Sequence, residues 1–140
     1  SFDRWLGTLP HRHKVVVAGN HDVTFESAPS DALRKQFPKA FASFADASVD
    51  EPASLFTNAR YVEHDVVDVA GLRVFLSPYT PTIPGKVWAF NYDPNSVVAA
   101  RKRWRDVPPD LDVLVTHGPP ERVLDKNFLG HHCGCRGLLE

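Results

Sequence analysis

At 140 residues the chain has room for one modest core and no more, which excludes a multidomain reading. A net charge of -1 and a pI near 6.6 exclude a polyanion partner held by global charge, so any phosphate recognition must be local. No apolar run approaches the roughly 20 residues that span a bilayer, and Cys133 and Cys135, one residue apart, would strain a mutual disulfide, so the default address is a reducing compartment, the cytoplasm.

Phe2, Trp5, Leu6 and Leu9 recur at helical spacings before Pro10, the pattern of the back half of an amphipathic helix. With no methionine in the sequence and an apolar segment just starting at Gly137-Leu138-Leu139-Glu140, both ends are expected to be truncated. His11 and His13 flank Arg12 in what reads as a solvated turn. Lys14-Val15-Val16-Val17-Ala18 then has the composition of a strand buried on both faces, and Gly19 lets the backbone turn sharply into Asn20, His21 and Asp22. In open α/β sheets ligands bind at such strand ends. Asn20 offers a neutral amide oxygen to a metal, His21 suits a ligand, a proton donor or a cation facing phosphate, and Asp22 suits orienting the imidazole or capping the next turn.

Residues 31–45 carry Leu33, Phe37, Phe41 and Phe44 at helical spacing, and Pro38 predicts two short helices, the first capped by Ser30 or Asp31. A helical turn is expected within 52–58, and two strands, 61–69 and 72–76, joined as a hairpin at Ala70-Gly71, predict a mixed sheet. Glu63, His64, Asp65 and Asp68 crowd that hairpin and read as charges guarding an edge strand. The proline-rich, aromatic stretch 77–95 predicts a packed loop, extended over 86–91, where Val87 and Ala89 alternate with Trp88 and Phe90. Val97, Ala100, Trp104 and Val107 mark the buried stripe of a helix whose basic cluster, Arg101, Lys102, Arg103 and Arg105, reads as its wet face. Asp110-Leu111-Asp112-Val113-Leu114-Val115-Thr116 is a second buried-strand pattern, running into His117-Gly118-Pro119-Pro120.

Two strands that each deliver Gly and His to their carboxyl ends can place those side chains in one cleft if the strands are close in a parallel sheet. Taken singly, His21 and His117 read as ordinary turn histidines. Together with Asn20 they are a donor set suited to manganese, iron or zinc.

Gly19-Asn20-His21-Asp22 after a strand, followed about a hundred residues later by Thr116-His117-Gly118, resembles the calcineurin-like metallophosphoesterases. Leu6-Gly7-Thr8-Leu9-Pro10, Ser77-Pro78-Tyr79, Trp88-Ala89-Phe90-Asn91 and Thr116-His117-Gly118-Pro119-Pro120 look like the metallophosphoesterase-domain-containing branch, and the match covers nearly the whole chain. The resemblance implies an α/β fold, part of a β-sandwich with mixed sheets flanked by helices. Residues 1–140 would then be the central part of one such phosphoesterase domain. It implies two divalent ions, manganese, iron or zinc, and hydrolysis of a small phosphodiester or nucleotide by a hydroxide bridging the metals. Asn20 and His117 match metal ligands, His21 matches the catalytic histidine, and Asp22, Gly19 and Gly118 match the residues that support them. No nucleic-acid polymer or membrane partner is implied.

The family's upstream Asp-x-His and Gly-Asp pairs and its downstream Gly-His-x-His pair do not stand in this sequence at the required places. Asn20 and His117 bring no negative charge to balance divalent ions, so the neutralising aspartates are expected outside these residues. Gly130-His131-His132-Cys133 reads as a structural loop, with an accessory metal set as its alternative. The rival functions are a non-catalytic member of the same fold that binds a nucleotide or a partner protein, and a truncated inactive product.

Overall fold

A computed structural model describes residues 1–46, 51–93 and 95–139; Pro94 of the proline-rich loop and Glu140 of the last apolar segment lie outside them. The chain is a mixed α/β fold. In order it runs through helix α1 (Phe2–Thr8), strand β1 (Val15–Val16), helices α2 (Asp31–Gln36) and α3 (Pro38–Asp46), a 3₁₀ turn (Pro52–Leu55), strands β2 (Arg60–Tyr61), β3 (Asp65–Val69), β4 (Leu72–Ser77), β5 (Thr80–Pro81) and β6 (Asn91–Tyr92), helix α4 (Val97–Trp104), strand β7 (Val113–Thr116) and helix α5 (Arg136–Leu139). No helix among the described residues is long and apolar enough to cross a membrane.

Local rules account for the best-formed elements. Ser30 caps α2, its hydroxyl oxygen accepting from Leu33 N at 3.2 Å. Pro38 has no amide hydrogen to give α2 and opens α3 instead, so the predicted break falls between Gln36 and Pro38. Ala70 and Gly71 both adopt positive φ, 52° and 88°. That is the turn whose twist matches an antiparallel pair, and β3 and β4 meet there with Val69 opposite Leu72. β7 adds to β4 in parallel, Val74 opposite Val113, so the three-stranded sheet is mixed as expected.

Several expectations need correction. Tyr61 belongs not to the hairpin's first strand but to β2, which pairs in parallel with β1, Val15 opposite Arg60. The apolar run of β1 is not buried on both faces: Val15, Val16 and Val17 keep partial access to solvent and only Ala18 is enclosed. Nor is β7 a buried strand, since Val113, Leu114 and Val115 are 39%, 44% and 38% exposed on the sheet's edge. An apolar run records what a strand could bury, and covering it takes a neighbouring layer that these residues lack. Of segment 86–91 only Asn91 lies in a strand, β6, and Ala89 and Phe90 break the expected extension with a turn, Phe90 standing at φ 56°.

Two polar side chains also turn inward against expectation. Arg103 leaves the wet face of α4 and lays its guanidinium 3.4 Å over the Tyr79 ring. His64 leaves the hairpin's edge: its Nε2–H donates to Arg103 O and its Nδ1 accepts from the Ser77 hydroxyl, both at 2.9 Å. Burial first, then the Arg103 cation, pushes the His64 pKa down, so the neutral ring suits this place. Asp65 and Asp68 remain exposed on β3, as edge guards should.

Among the described residues three apolar clusters hold the fold together. The one behind the candidate site joins Ala18, Val23, Leu33, Ala89 and Phe90, with Phe37 and Trp88 packed on it. A second joins Tyr92, Ala100, Trp104 and Cys135, where the indole N–H of Trp104 reaches Cys135 Sγ at 3.1 Å. The third joins Val62, Val67 and Leu76, with Val15 and Val17 packed on it from the β1–β2 side.

Candidate functional site

The turn after β1 is closed from both sides. Asp22 N donates to Gly19 O at 3.0 Å, and Gly19 N donates to the Asp22 carboxylate at 2.8 Å. The carboxylate therefore braces the turn that leads into it, where the sequence suggested orienting the imidazole or capping the turn that follows. Asn20 O accepts from Ala89 N at 3.1 Å, which ties the turn to the proline-rich loop. After β7, His117 N donates to Ser77 O at 3.0 Å, and the Thr116 hydroxyl donates to Gly118 O at 2.8 Å.

These constraints bring Asn20 and His117 together, with Nε2 of the imidazole 3.1 Å from Oδ1 of the amide. The meeting does not depend on the condition set for it in the sequence, that the two strands be close in one parallel sheet, because β1 and β7 lie in different sheets. Two ligand atoms each about 2.1 Å from one ion and at right angles stand ~3 Å apart, so the pair fits two neutral donors to a single divalent cation. Among the described residues no group of three His, Cys, Asp or Glu side chains converges to complete such a set. Burial lowers the His117 pKa, and His21 adds to this while Asp22 opposes it; the neutral imidazole that a metal requires is thereby favoured.

Gly19 and Gly118 are at close approaches. A Cβ on Gly19 would stand 2.7 Å from His117 Cε1, and one on Gly118 would stand 2.6 Å from the Thr80 hydroxyl. Gly19→Ala is expected to swing the imidazole off Asn20 while lowering stability by less than about 1 kcal/mol, since a movable side chain and not backbone yields. Loss of the nuclear Overhauser contact between Asn20 and His117, with a nearly unchanged urea midpoint, is the predicted result.

His21 is exposed and does not join the pair. Its ring lies on Trp88 with centroids 4.1 Å apart and planes at 14°. Trp88 was not legible as part of the site: within the Trp-Ala-Phe-Asn run it marked only the resemblance. The one available signal was its place in the alternating 86–91 run, which predicts an extended segment and says nothing of a histidine partner.

The His131-His132-Cys133 segment is a structural loop. Asp125, 5% exposed, accepts from Arg122 N at 2.8 Å and Gly134 N at 3.1 Å, and pairs with His132 Nδ1 at 2.6 Å. Burial alone would raise this carboxyl's pKa, but the donors from Arg122, His132 and Gly134 outweigh it and hold it at about 2. A depressed folded pKa gives stability that is present above the unfolded value near 4 and is lost as pH falls through the folded one. Amide protection at Arg122 and Gly134, taken relative to the intrinsic exchange rate at each pH, is therefore expected to fall between about pH 4 and about pH 2, and Asp125→Asn should remove that pH dependence. Cys133 and Cys135 are both free thiols, and His11 and His13 are exposed, as expected.

No family model matches the chain. It is 37% identical over 128 residues to Metallophosphoesterase domain-containing protein 1 of Homo sapiens, an alignment covering 89% of the chain and 38% of that relative, and the Mus musculus protein of the same name gives the same figures. A UPF0046 protein of Caenorhabditis elegans is 32% identical over 149 aligned residues, covering 99% of the chain and 36% of the relative. The chain thus spans well under half the length of these curated relatives.

Proposed function

The chain belongs to the metallophosphoesterase-domain-containing branch of the calcineurin-like metallophosphoesterases, and on that premise we propose that it forms one wall of a metal-dependent phosphodiesterase site. The observation that carries this reading is the approach of Asn20 Oδ1 and His117 Nε2 to 3.1 Å, from the ends of strands in separate sheets. Both are donor types that borderline divalent ions accept, and His21 follows Asn20 directly in the chain.

Asn20 and His117 would hold a divalent ion, manganese, iron or zinc. When bound, a pair of such ions neutralises charge on the phosphoryl oxygens and acidifies the attacking water. The chain's own residues then do three things. Asn20 and His117 present neutral donors, so the balancing carboxylates come from outside these residues. Asp22 keeps the turn closed through its bond to Gly19 N. His21 holds a proton at the edge of its ring, and as the P–O bond to the leaving group breaks, that proton passes to the departing oxygen. The substrate is a small phosphodiester or a nucleotide, recognised locally by a chain of net charge -1.

The test is hydrolysis of bis(4-nitrophenyl) phosphate by the full-length protein, expected to be abolished by EDTA and restored by Mn²⁺. Nucleotide binding without turnover in Mn²⁺, Fe²⁺ or Zn²⁺ would replace the enzyme with the non-catalytic binding member of the fold. The 140-residue chain alone is expected to bind Mn²⁺ weakly and turn over little; two tight calorimetric sites would contradict the assignment of the missing ligands to other residues.

A further inference from the structure

His21 projects from a turn into solvent, and among the described residues no hydrogen bond holds its imidazole. A proton donor that acts in a bond-breaking step must nevertheless be held in plane and in reach. The ring contacts supply that restraint. His21 stacks on Trp88 at 4.1 Å and 14°, and Trp88 stacks in turn on Phe37 at 5.3 Å and 30°. Phe37 and Trp88 both pack on the cluster of Ala18, Val23, Leu33, Ala89 and Phe90, so the run of three rings is rooted in the core and ends at the imidazole.

The backbone on either side of Trp88 is fixed as well. Val87 O accepts from Gln36 Nε2 of α2 at 3.1 Å, and Ala89 N donates to Asn20 O at 3.1 Å. Trp88 is thus carried on a splint between α2 and the turn that bears His21.

We propose that Trp88 is the positioning residue of His21: its indole sets the plane of the imidazole that hands the proton to the leaving oxygen. The inference rests on the reading of His21 as the catalytic histidine. Stacking suits the task because it acts on the ring's face. Both nitrogens lie at the ring's edge and stay free to bond substrate, whereas a carboxylate partner would occupy one of them.

The test uses the full-length protein with ¹³C-labelled histidine. In the native protein the His21 ring protons are expected to be shifted upfield by the Trp88 ring current, to lose that shift in Trp88→Leu and to keep part of it in Trp88→Phe. Trp88→Leu should lower kcat by about 10- to 100-fold with KM unchanged, Trp88→Phe should recover most of the loss, and Trp88→Leu in a His21→Ala background should cost nothing further. If Trp88→Leu does not fold, Trp88→Met, which also removes the ring, and its double mutant with His21→Ala carry the same comparison. An equal loss of kcat with and without His21, or unshifted His21 resonances in the native protein, overturns the proposal alone. A His21→Ala protein with native kcat overturns the catalytic reading of His21, and this inference with it.

Discussion

His21→Ala is expected to lower kcat by about 10²- to 10⁴-fold in the full-length protein, the range for loss of a positioned proton donor, with metal content unchanged. His117→Ala is expected to lose metal. The structure separates the two histidines: Nε2 of His117 approaches Asn20 Oδ1 at 3.1 Å, while the His21 ring lies against Trp88. One imidazole shares a donor pair and the other does not, although each follows a strand and sits beside a glycine or an asparagine. Elemental analysis of the purified variants beside their kcat values decides the matter. Equal metal loss in both would sink the division of roles.

Phe90→Ala is expected to lower the free energy of unfolding by about 3–5 kcal/mol, the usual cost of emptying a core aromatic position. Phe90 has no solvent access, sits edge-on to Tyr79 at 5.7 Å and shares the cluster behind the site. Against a typical total of about 5–15 kcal/mol, one such change removes a large share. The backbone adds a second, sharper expectation. Phe90 stands at φ 56°, where any side chain bearing a Cβ carries strain of roughly 1 kcal/mol and glycine carries none. Phe90→Gly should therefore be less destabilised than Phe90→Ala by about 1 kcal/mol. Urea midpoints of the two variants, compared with the native protein, test both steps; an alanine variant more stable than the glycine one would remove the strain from the account.

What could be read from the sequence divides by range. The helix pair α2 and α3 and the β3–β4 hairpin were legible because their determinants are local: a serine cap at Ser30, a proline without an amide hydrogen at Pro38, and an Ala-Gly turn at 70–71. The pairing of β1 with β2 was not, since nothing in Val15 or Val16 names a partner 45 residues away at Arg60 and Tyr61. The exposure of Val113, Leu114 and Val115 was equally hidden, because hydrophobicity says which residues would gain from cover and not whether cover is there. In the candidate site Asn20 and His117 were legible from chemistry at strand ends. The stack of His21 on Trp88 was not, for the alternation of 86–91 sorts side chains by face and does not name the residue that a face meets 67 positions away. Arg103 and His64 were misread for a related reason: a charged residue's place on a helix or hairpin does not reveal that a tyrosine face or a serine hydroxyl waits for it on the inner side.

The contact between Asn20 and His117 has a kinetic side. The two residues are 97 positions apart, so bringing them together closes a loop whose entropic cost is ~4 kcal/mol. The β3–β4 hairpin and the α2–α3 pair close much shorter loops and can form first. The amide and the imidazole are thus expected to meet late, after the local structure has formed. During refolding, recovery of metal affinity should lag behind recovery of helical circular dichroism.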